Sequence, residues 1–378
     1  MSALHDLTEA ARKVGCAAEP KLEGLDETAA ASAALAELRA SGLIAWTVPK
    51  RFGGADAQGL CADDTVSVRA LCALRDELAW HSGMLDVMFV MQGLGSFPIA
   101  VGGSDALRSE VLPAVAKGTR IAAFALTEPD AGSSLGDVST KAEKHGNSWR
   151  LNGHKTFISN AGIAHHYCIL ARTSGEIGDG KGLSMFYVPS QSRGLETKRF
   201  EVIGPHPIGD LFFHDVDVPD AHRLGNVGSG LEIAIATLNR FRTSVAACAN
   251  GLARRSLDES KARLRARKQF GKPLATFQAL RFDIAEMDAR LRAAQLLVDE
   301  AALACDEDRP ATAAIARAKW FATESASWIC DRAVQHFGGL GVKKGSVVER
   351  TFRDTRALRI YEGSSEIQKL ILAKELLG

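Results

Sequence analysis

Three stretches with different hydrophobic patterns follow one another along the chain. Up to about residue 120, apolar positions recur at the three- and four-residue spacing of helices, as in residues 28–42 and 66–80, and glycine-rich turns separate these segments. From about residue 121 the apolar runs become short and are bounded by Gly, Asn, Asp or Ser, which is typical of β-strands. The predicted strands lie in IAAFALTE, WRLNGHKTFIS, HHYCILART, LSMFYVP and DLFFHDVDVP. After the glycine cluster at 225–230, the helical spacing returns and continues to the C-terminus.

The clearest helical pattern is predicted to begin at Pro273, because proline suits the first turn of a helix, and to end between Asp306 and Pro310. Its apolar side chains alternate in steps of four and three residues: Leu280, Ile284, Met287, Leu291, Ala294, Val298, Ala301 and Cys305. Such spacing is typical of the buried seam of a helix bundle. Further helices are predicted over residues 232–268, 312–337 and 363–377.

The order of these stretches predicts an α+β multidomain fold. We expect an N-terminal all-α domain over residues 1–120, a middle antiparallel β domain over 121–225 and a C-terminal four-helix bundle domain over 226–378. A doubly wound nucleotide-binding fold is excluded, because strands and helices do not alternate. The glycine cluster GNVGSG also lacks the GxGxxG order of a dinucleotide-binding turn.

Composition narrows the class of protein. The 378 residues are 46% hydrophobic and 24% charged with a formal net charge of +1, so the chain can bury a deep site and has no basic excess that would recruit nucleic acid. The N-terminal segment contains Asp6 and Glu9 and no long apolar run. We therefore expect a protein that is neither secreted nor inserted in a membrane. Seven cysteines without a C-x-x-C pair predict reduced thiols, and the spacing of the histidines, His206 among them, predicts no metal site.

Four segments resemble motifs of the acyl-CoA dehydrogenase family, in the family's order and along essentially the whole chain. They are AFALTEPDAGSSLGDV at 123–138, NGHKTFISNAG at 152–162, RKQFGKPLATFQ at 267–278, and QHFGGLG through RIYEGSSEIQ at 335–368. The same residues also suit turns and helix caps, which does not compete with a functional role. The resemblance implies the family's fold, a bound FAD, and α,β-dehydrogenation of an acyl-CoA thioester to the trans-2-enoyl-CoA.

The implied reaction needs a base at the α carbon and a hydride acceptor at the β carbon. Side chains can supply the base, whereas the hydride acceptor must be a cofactor such as a flavin. By resemblance the base is Glu362, which lies between Tyr361 and Gly363, and desolvation would increase its basicity. Some family branches carry the base at the position that matches Phe241, whose ring cannot abstract a proton. The alternative interpretation of Glu362 is a surface acid ahead of a helix N-terminus.

The resemblance also assigns the binding residues. Contacts to the flavin would come from Phe124, Leu126, Thr127, Ser133, Phe157, Ile158, Ser159, Ser364 and Glu366, and contacts to the substrate from Ser133, Asn239, Arg242, Tyr361 and Gly363. The adenosine and diphosphate of FAD would be held by Arg267, Phe270, Gln278, Gln335, Gly338 and Gly339. In the family this last set belongs to the neighbouring subunit, which implies an obligate homo-oligomer, usually a tetramer. Phe157 stands where tryptophan is common in the family, and Ser159 stands where threonine is common. Phe157 retains an aromatic ring and Ser159 retains a hydroxyl group.

Substrate and partners are less constrained by the sequence. No Lys or Arg lies between Arg75 and Arg108. Family members that act on dicarboxylic acyl groups tend to carry an arginine in this region, so the resemblance implies an uncharged acyl group, and Phe241 favours a short, branched or aryl-substituted one. The resemblance implies an electron-transferring flavoprotein as electron acceptor, and it leaves open whether the thioester is on CoA or on a carrier protein. We expect a cytoplasmic protein. Two alternatives are a flavin-dependent monooxygenase of the same fold and a non-catalytic scaffold protein.

Overall fold

The computed structural model describes residues 2–378, which form ten α-helices and ten strands. The helices are α1 (Ser2–Leu22), α2 (Glu27–Ser41), α3 (Val68–His81), α4 (Gly83–Gly102), α5 (Asp105–Ala116), α6 (Gly230–Ala266), α7 (Gln278–Asp306), α8 (Thr312–Phe337), α9 (Val347–Arg356) and α10 (Ser365–Leu377). The strands are β1 (Ala122–Ala125), β2 (Lys141–His145), β3 (Ser148–Ser159), β4 (His166–Arg172), β5 (Leu183–Pro189), β6 (Leu195–Arg199), β7 (Ile208–Pro219), β8 (Arg223–Leu224), β9 (Lys268–Gln269) and β10 (Lys272–Pro273).

Contacts divide the chain into two compact units. The first, the helical unit, consists of residues up to Glu19, Val68–Asp86 and Arg242–Gly378; the second, the sheet unit, consists of Pro20–Ser67 and Val87–Phe241. The helical, β, helical order along the chain agrees with the predicted fold class. The domain boundaries at residues 120 and 225 stay a prediction.

The helical unit buries a core that α3, α6, α7, α8 and α9 share. The predicted seam of α7 faces it, since Met287, Leu291, Ala294, Val298 and Ala301 are all buried there. The helix predicted over 312–337 matches α8 at both ends. The predicted start of α7 at Pro273 is wrong. Pro273 instead ends β10, a two-residue strand paired with β9, and the helix begins five residues later at Gln278.

The sheet unit is built on a mostly antiparallel sheet in the order β6-β7-β3-β2-β4-β5-β8, with β1 paired to β4. The pairings of β1 and of β2 with β4 are parallel. All five predicted strands are confirmed as β1, β3, β4, β5 and β7. The apolar pattern did not predict β2 and β6, whose residues KAEKH and LETKR are mostly charged and exposed, or the two-residue β8. Cross-strand pairing, rather than an apolar pattern, makes them strands.

Helix α4 lies directly on β1 within the sheet unit. A Cβ atom at Gly95 would come within 2.4 Å of the Ala123 backbone nitrogen, so only glycine permits this approach. Gln92 accepts a hydrogen bond from the backbone N–H of Ala122 at 3.1 Å. Within residues 2–378, α4 is the one helix with the length and apolar composition of a membrane span, and 89% of its most apolar window is buried inside the protein. A core helix has the same properties, so a span is only weakly indicated.

Candidate active site

The residues Tyr361–Gly363 form a tight turn immediately before α10. Glu362 has φ = 53° and Gly363 has φ = 90°, so two successive residues adopt the left-handed conformation. Glycine enters this region freely, whereas a glutamate does so only when its surroundings hold it there. The turn ends at Ser364, whose hydroxyl accepts a hydrogen bond from the backbone N–H of Ile367 and caps α10.

Side chains from three helices hold this turn through its backbone carbonyls. Arg242 on α6 donates from Nε to the carbonyl oxygen of Glu362 at 2.8 Å. Lys319 on α8 donates from Nζ to the carbonyl oxygen of Gly363 at 2.7 Å, and Gln368 on α10 donates to the same oxygen at 3.0 Å. Arg242 was predicted as a substrate contact, whereas Lys319 was not predicted. A signal was present, because Lys319 interrupts the apolar face of α8 that Ile315, Ala322 and Ala326 form.

Glu362 is a partly buried residue of the helical unit. Its Oε2 atom is closed off from solvent and has no hydrogen-bond partner among residues 2–378. Burial raises the pKa of this carboxyl; the positive charges of Arg75, Arg242 and Lys319 oppose the rise without cancelling it. The result is a carboxylate of increased basicity with one oxygen unused by the protein, which is the state that proton abstraction requires.

Arg75 is a second contributor that the sequence analysis missed. It is fully buried on α3 and donates from Nε and Nη2 to the two carboxylate oxygens of Asp86, both at 2.7 Å. Its Nη1 donates to the hydroxyl of Ser244 at 2.9 Å. Both members of this bidentate pair act on Glu362: Arg75 lowers and Asp86 raises the pKa of its carboxyl.

Seven of the nine residues predicted to contact the flavin, all except Ser364 and Glu366, lie in the sheet unit. The backbone N–H of Thr156 on β3 donates to the carbonyl of Thr127 at 3.0 Å, which ties the segment after β1 to β3. Phe157 follows at a bulge in the β3–β7 pairing, with φ = 55° and 60% of its surface exposed. An exposed aromatic side chain held in this rare conformation suits contact with a planar ring. The Ile158 side chain is instead buried in the core, so only its backbone is available to a ligand.

Ser159 has a partner that the sequence analysis did not identify. Its hydroxyl lies 3.2 Å from Nε2 of His206, and Nδ1 of the same ring lies 3.1 Å from the carbonyl oxygen of Gly204. A carbonyl can only accept, so Nδ1 carries the proton and Nε2 accepts from the Ser159 hydroxyl. Burial lowers the pKa of His206, which favours this neutral ring. His206 therefore orients Ser159.

Comparison with known proteins decides the family. Models of the acyl-CoA dehydrogenase N-terminal, middle and C-terminal domains match residues 4–119, 123–216 and 228–377. The chain belongs to the acyl-CoA dehydrogenase family. It is 36% identical over 365 residues to the 3-(aryl)acrylate reductase of Clostridium sporogenes, covering 95% of this chain and 94% of the relative. It is 34% identical over 340 residues to the cyclohexane-1-carbonyl-CoA dehydrogenase of Geobacter metallireducens, covering 89% and 87%.

Solved structures agree with this assignment. Butyryl-CoA dehydrogenase from Megasphaera elsdenii is similar with a TM-score of 0.91 and 31% identity, covering 100% of this chain and 99% of that one. A chain from the structure of the electron transferring flavoprotein of Acidaminococcus fermentans has a TM-score of 0.90 and 29% identity, covering 100% of this chain and 98% of that one. The FAD complex of PigA has a TM-score of 0.89 and 25% identity, also covering 100% of this chain and 98% of that one. The predicted acyl-CoA dehydrogenase fold, FAD cofactor and oxidoreductase activity are thereby confirmed.

The remaining predicted residues of this acyl-CoA dehydrogenase lie elsewhere. The predicted adenosine and diphosphate contacts, namely Arg267, Phe270, Gln278, Gln335, Gly338 and Gly339, are all exposed on the helical unit. Arg267 follows the end of α6, about 36 Å along the helix axis from Arg242 at 1.5 Å per residue. Arg267 is therefore not brought together with the Glu362 turn. Ser133 and Glu366 are exposed, Phe124, Thr127, Ser364 and Asn239 are partly buried, and Leu126 is buried.

A buried ion pair fixes the segment after β1 in this enzyme. Lys155 on β3, fully buried, donates to the carboxylate of Glu128 and to the carbonyl of Leu126, both at 2.8 Å. Glu128 also accepts from the backbone N–H groups of Ser139 and Thr140. Burial acts to raise the pKa of Glu128, but Lys155 and these hydrogen bonds outweigh it and hold the pKa at about 2. The pair links the two segments predicted to contact the flavin.

The substitution Glu128→Gln is expected to destabilise the protein by about 2–4 kcal/mol at pH 7, because it leaves the ammonium of Lys155 buried without its counter-charge. Since the folded pKa of about 2 lies below the usual 4.5, the carboxylate stabilises fully above pH 4.5 and loses this contribution as the pH falls towards 2. The difference in thermal unfolding midpoint between wild type and variant should therefore narrow below pH 4.5. The exposed Glu110→Gln is the control, and a difference independent of pH would contradict the expectation.

Proposed function

We propose that Glu362 is the catalytic base that removes the α proton of an acyl-CoA thioester, which becomes the trans-2-enoyl-CoA. The observation that supports this role is the enclosed Oε2 atom of Glu362, which no protein donor occupies. Burial raises the pKa of the carboxyl and so strengthens the base. Because Arg242 and Lys319 bind the backbone carbonyls, the turn is fixed while the carboxylate stays available to substrate. FAD, when bound, accepts the hydride that leaves the β carbon.

The residues of the sheet unit suit an FAD ring. Phe157 offers an exposed aromatic surface, and Thr127 and Ser159 supply hydroxyl groups near the same strand end. We assign the flavin contacts to these residues together with Phe124, Leu126, Ser133, Ile158, Ser364 and Glu366, and the substrate contacts to Ser133, Asn239, Arg242, Tyr361 and Gly363. His206 adds a constraint, because the Ser159 hydroxyl already donates to it and presents its oxygen as an acceptor.

We propose an uncharged short, branched or aryl-substituted acyl group. Phe241 is fully buried and packs edge-on against Phe97, with ring centroids 5.8 Å apart. A Cβ atom at Gly93 would come within 2.3 Å of the Phe241 ring, so the ring occupies the space over this glycine of α4. The names of two relatives, a cyclohexane-1-carbonyl-CoA dehydrogenase and a 3-(aryl)acrylate reductase, support a compact or aromatic acyl group.

A second candidate is the same reaction run in reverse, the reduction of an arylacrylyl thioester. The reductase name of the Clostridium sporogenes relative favours it. The catalytic group would be the same, since Glu362 in its protonated form would return the proton to the α carbon, and a raised pKa makes that form more accessible. The direction is then set by the electron partner rather than by the site.

The test is to mix the FAD-loaded enzyme anaerobically with butyryl-, isobutyryl-, cyclohexanecarbonyl-, 3-phenylpropionyl- and glutaryl-CoA and to follow loss of flavin absorbance. Bleaching by uncharged members is the expected result. Equal bleaching by glutaryl-CoA would contradict an uncharged acyl group. Dithionite-reduced enzyme mixed with cinnamoyl-CoA tests the reductive direction. Bound FAD with no response to any thioester would favour a monooxygenase or a carrier-bound substrate, and a protein that takes up no FAD would favour a scaffold.

The substitution Phe241→Leu is expected to raise kcat/KM for octanoyl-CoA relative to butyryl-CoA by about tenfold or more, because discrimination in apolar sites is about 1–3 kcal/mol per methylene. Leucine keeps an apolar side chain and so limits the loss of stability. The matched control is Phe213→Leu, which shortens a phenylalanine buried in the sheet core. An unchanged ratio in the Phe241 variant would show that this ring does not limit the acyl chain.

We further propose that the enzyme is a homo-oligomer, with a tetramer as the expected form, and that an electron-transferring flavoprotein reoxidises it. Arg267, Phe270 and Gln335 are exposed, and Phe270 has 91% of its surface uncovered and φ = 50°. Arg267, about 36 Å along the axis of α6 from Arg242, suits the FAD of a neighbouring subunit better than that of its own. Light scattering of wild type and Arg267→Ala, with FAD content measured for each, tests this, and a monomer with full FAD would contradict it.

A further inference from the structure

Two cations on different helices, the fully buried Lys319 and the partly buried Arg242, bind two successive carbonyl oxygens of one strained turn. Arg242 binds that of Glu362 at 2.8 Å and Lys319 that of Gly363 at 2.7 Å. Both residues of the turn have positive φ, so its conformation is imposed by these contacts and by Gln368 rather than by local preference. Removing one anchor would allow the turn to relax towards ordinary backbone conformations.

The buried ammonium of Lys319 destabilises the fold unless other groups interact with its charge. It lies in the middle of α8 with none of its surface exposed, and its backbone neighbours are mainly alanines: Ala316, Ala318 and Ala322. An isolated ammonium in such surroundings is strongly unfavourable, and a methionine of similar length would pack there without that cost. The charged groups that act on it are Glu362, Arg242, Glu324 and Glu366. Glu362 is the foremost of its negative partners.

We propose that Lys319 is a positioning residue for the reaction: its ammonium anchors the Gly363 carbonyl, and through it fixes the direction of the Glu362 carboxylate. This inference rests on the proposed role of Glu362 as the base. Lys319 touches neither substrate nor cofactor in this account, and acts through the turn.

The electrostatics agree with this geometry. Burial lowers the pKa of Lys319 to about 8, so the ammonium is the prevailing form at neutral pH. Its positive charge lowers the pKa of Glu362, together with those of Arg75 and Arg242, against the effect of burial. Loss of the Lys319 charge should therefore raise the pKa of Glu362 further, and the base would be protonated up to a higher pH.

The experiment compares wild type, Lys319→Met and Lys319→Arg as FAD-loaded enzymes. The first readout is the limiting rate constant of flavin reduction, per bound FAD, by the most active acyl-CoA of the panel between pH 5.5 and 9. The second is independent of turnover: the carboxyl infrared band of Glu362, identified by its absence in Glu362→Gln, is titrated in each variant. Lys369→Met is the matched control, because it makes the same change at an exposed lysine of α10.

For Lys319→Met we expect a limiting rate about 10- to 100-fold lower at pH 7, the size of effect that a small misplacement of a catalytic group produces. KM should change little, the acid limb of the rate profile should move to higher pH, and the Glu362 band should titrate at higher pH. Lys319→Arg keeps the positive charge and a hydrogen-bond donor. The pKa of Glu362 in this variant should therefore stay close to the wild-type value, and part of the wild-type rate should be retained.

A Lys319→Met variant that only melts at a lower temperature, with wild-type rate and wild-type titration of Glu362, would overturn the proposal. If that variant does not fold, Lys319→Gln, which keeps a polar side chain without the charge, is judged by the same readouts. A Glu362→Gln enzyme as active as wild type would instead overturn the proposed function itself, so the two failures are distinguishable.

Discussion

Replacing Glu362 with Gln is expected to lower the rate constant of flavin reduction by acyl-CoA about 10²- to 10⁴-fold, since general base catalysis contributes that much and no other carboxylate is proposed to replace it. Glutamine has nearly the same shape. The contacts that hold the turn go to the backbone carbonyls of Glu362 and Gly363, so the substitution leaves them intact. FAD content and thermal unfolding should therefore stay near wild type. The measurement is anaerobic stopped-flow absorbance of the flavin.

Two further variants sharpen the interpretation of this result. Glu362→Asp keeps a carboxylate but withdraws it by one methylene, and an intermediate loss of about 10- to 100-fold is expected because the distance to the α carbon is lengthened. Glu375→Gln removes an exposed acid from the far end of α10 and should be without effect. A Glu362→Gln enzyme that bleaches at the wild-type rate would exclude this residue as the base.

Replacing Arg75 with Met is expected to destabilise the helical unit by about 3–5 kcal/mol, because it leaves the carboxylate of Asp86 buried without its counter-charge. Arg75 and Asp86 each have only 1% of the side chain exposed, and their bidentate contact is 2.7 Å at both oxygens. The loss should be measured as the midpoint of thermal unfolding at fixed protein and FAD concentrations. The variant should also titrate Glu362 at higher pH, since a positive charge near it has been removed.

The double variant Arg75→Met/Asp86→Leu separates the effect of the two charges on stability from the effect of side-chain packing. Removing both charges eliminates the unpaired carboxylate, so much of the lost stability should return. Ser244 loses the donor that Arg75 provided in either case, and this small term is common to both variants. A double variant no more stable than the single one would show that packing of the Arg75 side chain, rather than its charge, stabilises this region.

The sequence predicted most of the regular structure because the decisive signals are local. The apolar spacing placed α8 at residues 312–337 and the seam of α7 facing the core, and five β-type runs became five strands. The failures also have local causes. β2 and β6 are rich in charge and acquire their conformation only through neighbouring strands. Pro273 suits a helix start, yet in this chain it pairs with Lys268 across a short hairpin.

The candidate site was predictable in part. The motif around Glu362 predicted the candidate base. Arg242 was predicted from its place beside Phe241, the position at which some family branches carry the base. Lys319, Arg75 and His206 were missed, since each looks like an ordinary polar residue in sequence and becomes significant only through a contact to a distant residue. Each such contact joins residues more than ten positions apart, which no local pattern encodes.

The sequence by itself determined the family, the order of helical and β segments, and which carboxylate is the candidate base, because motifs and periodicity are written in consecutive residues. Only the tertiary structure decided the backbone conformation, the burial and the pKa of that carboxylate. The left-handed turn at Glu362, the enclosure of its Oε2 atom and the three cations that oppose the rise of its pKa come from α3, α6 and α8. Burial and charge at a point depend on every element that surrounds it, and these elements meet only when the chain folds.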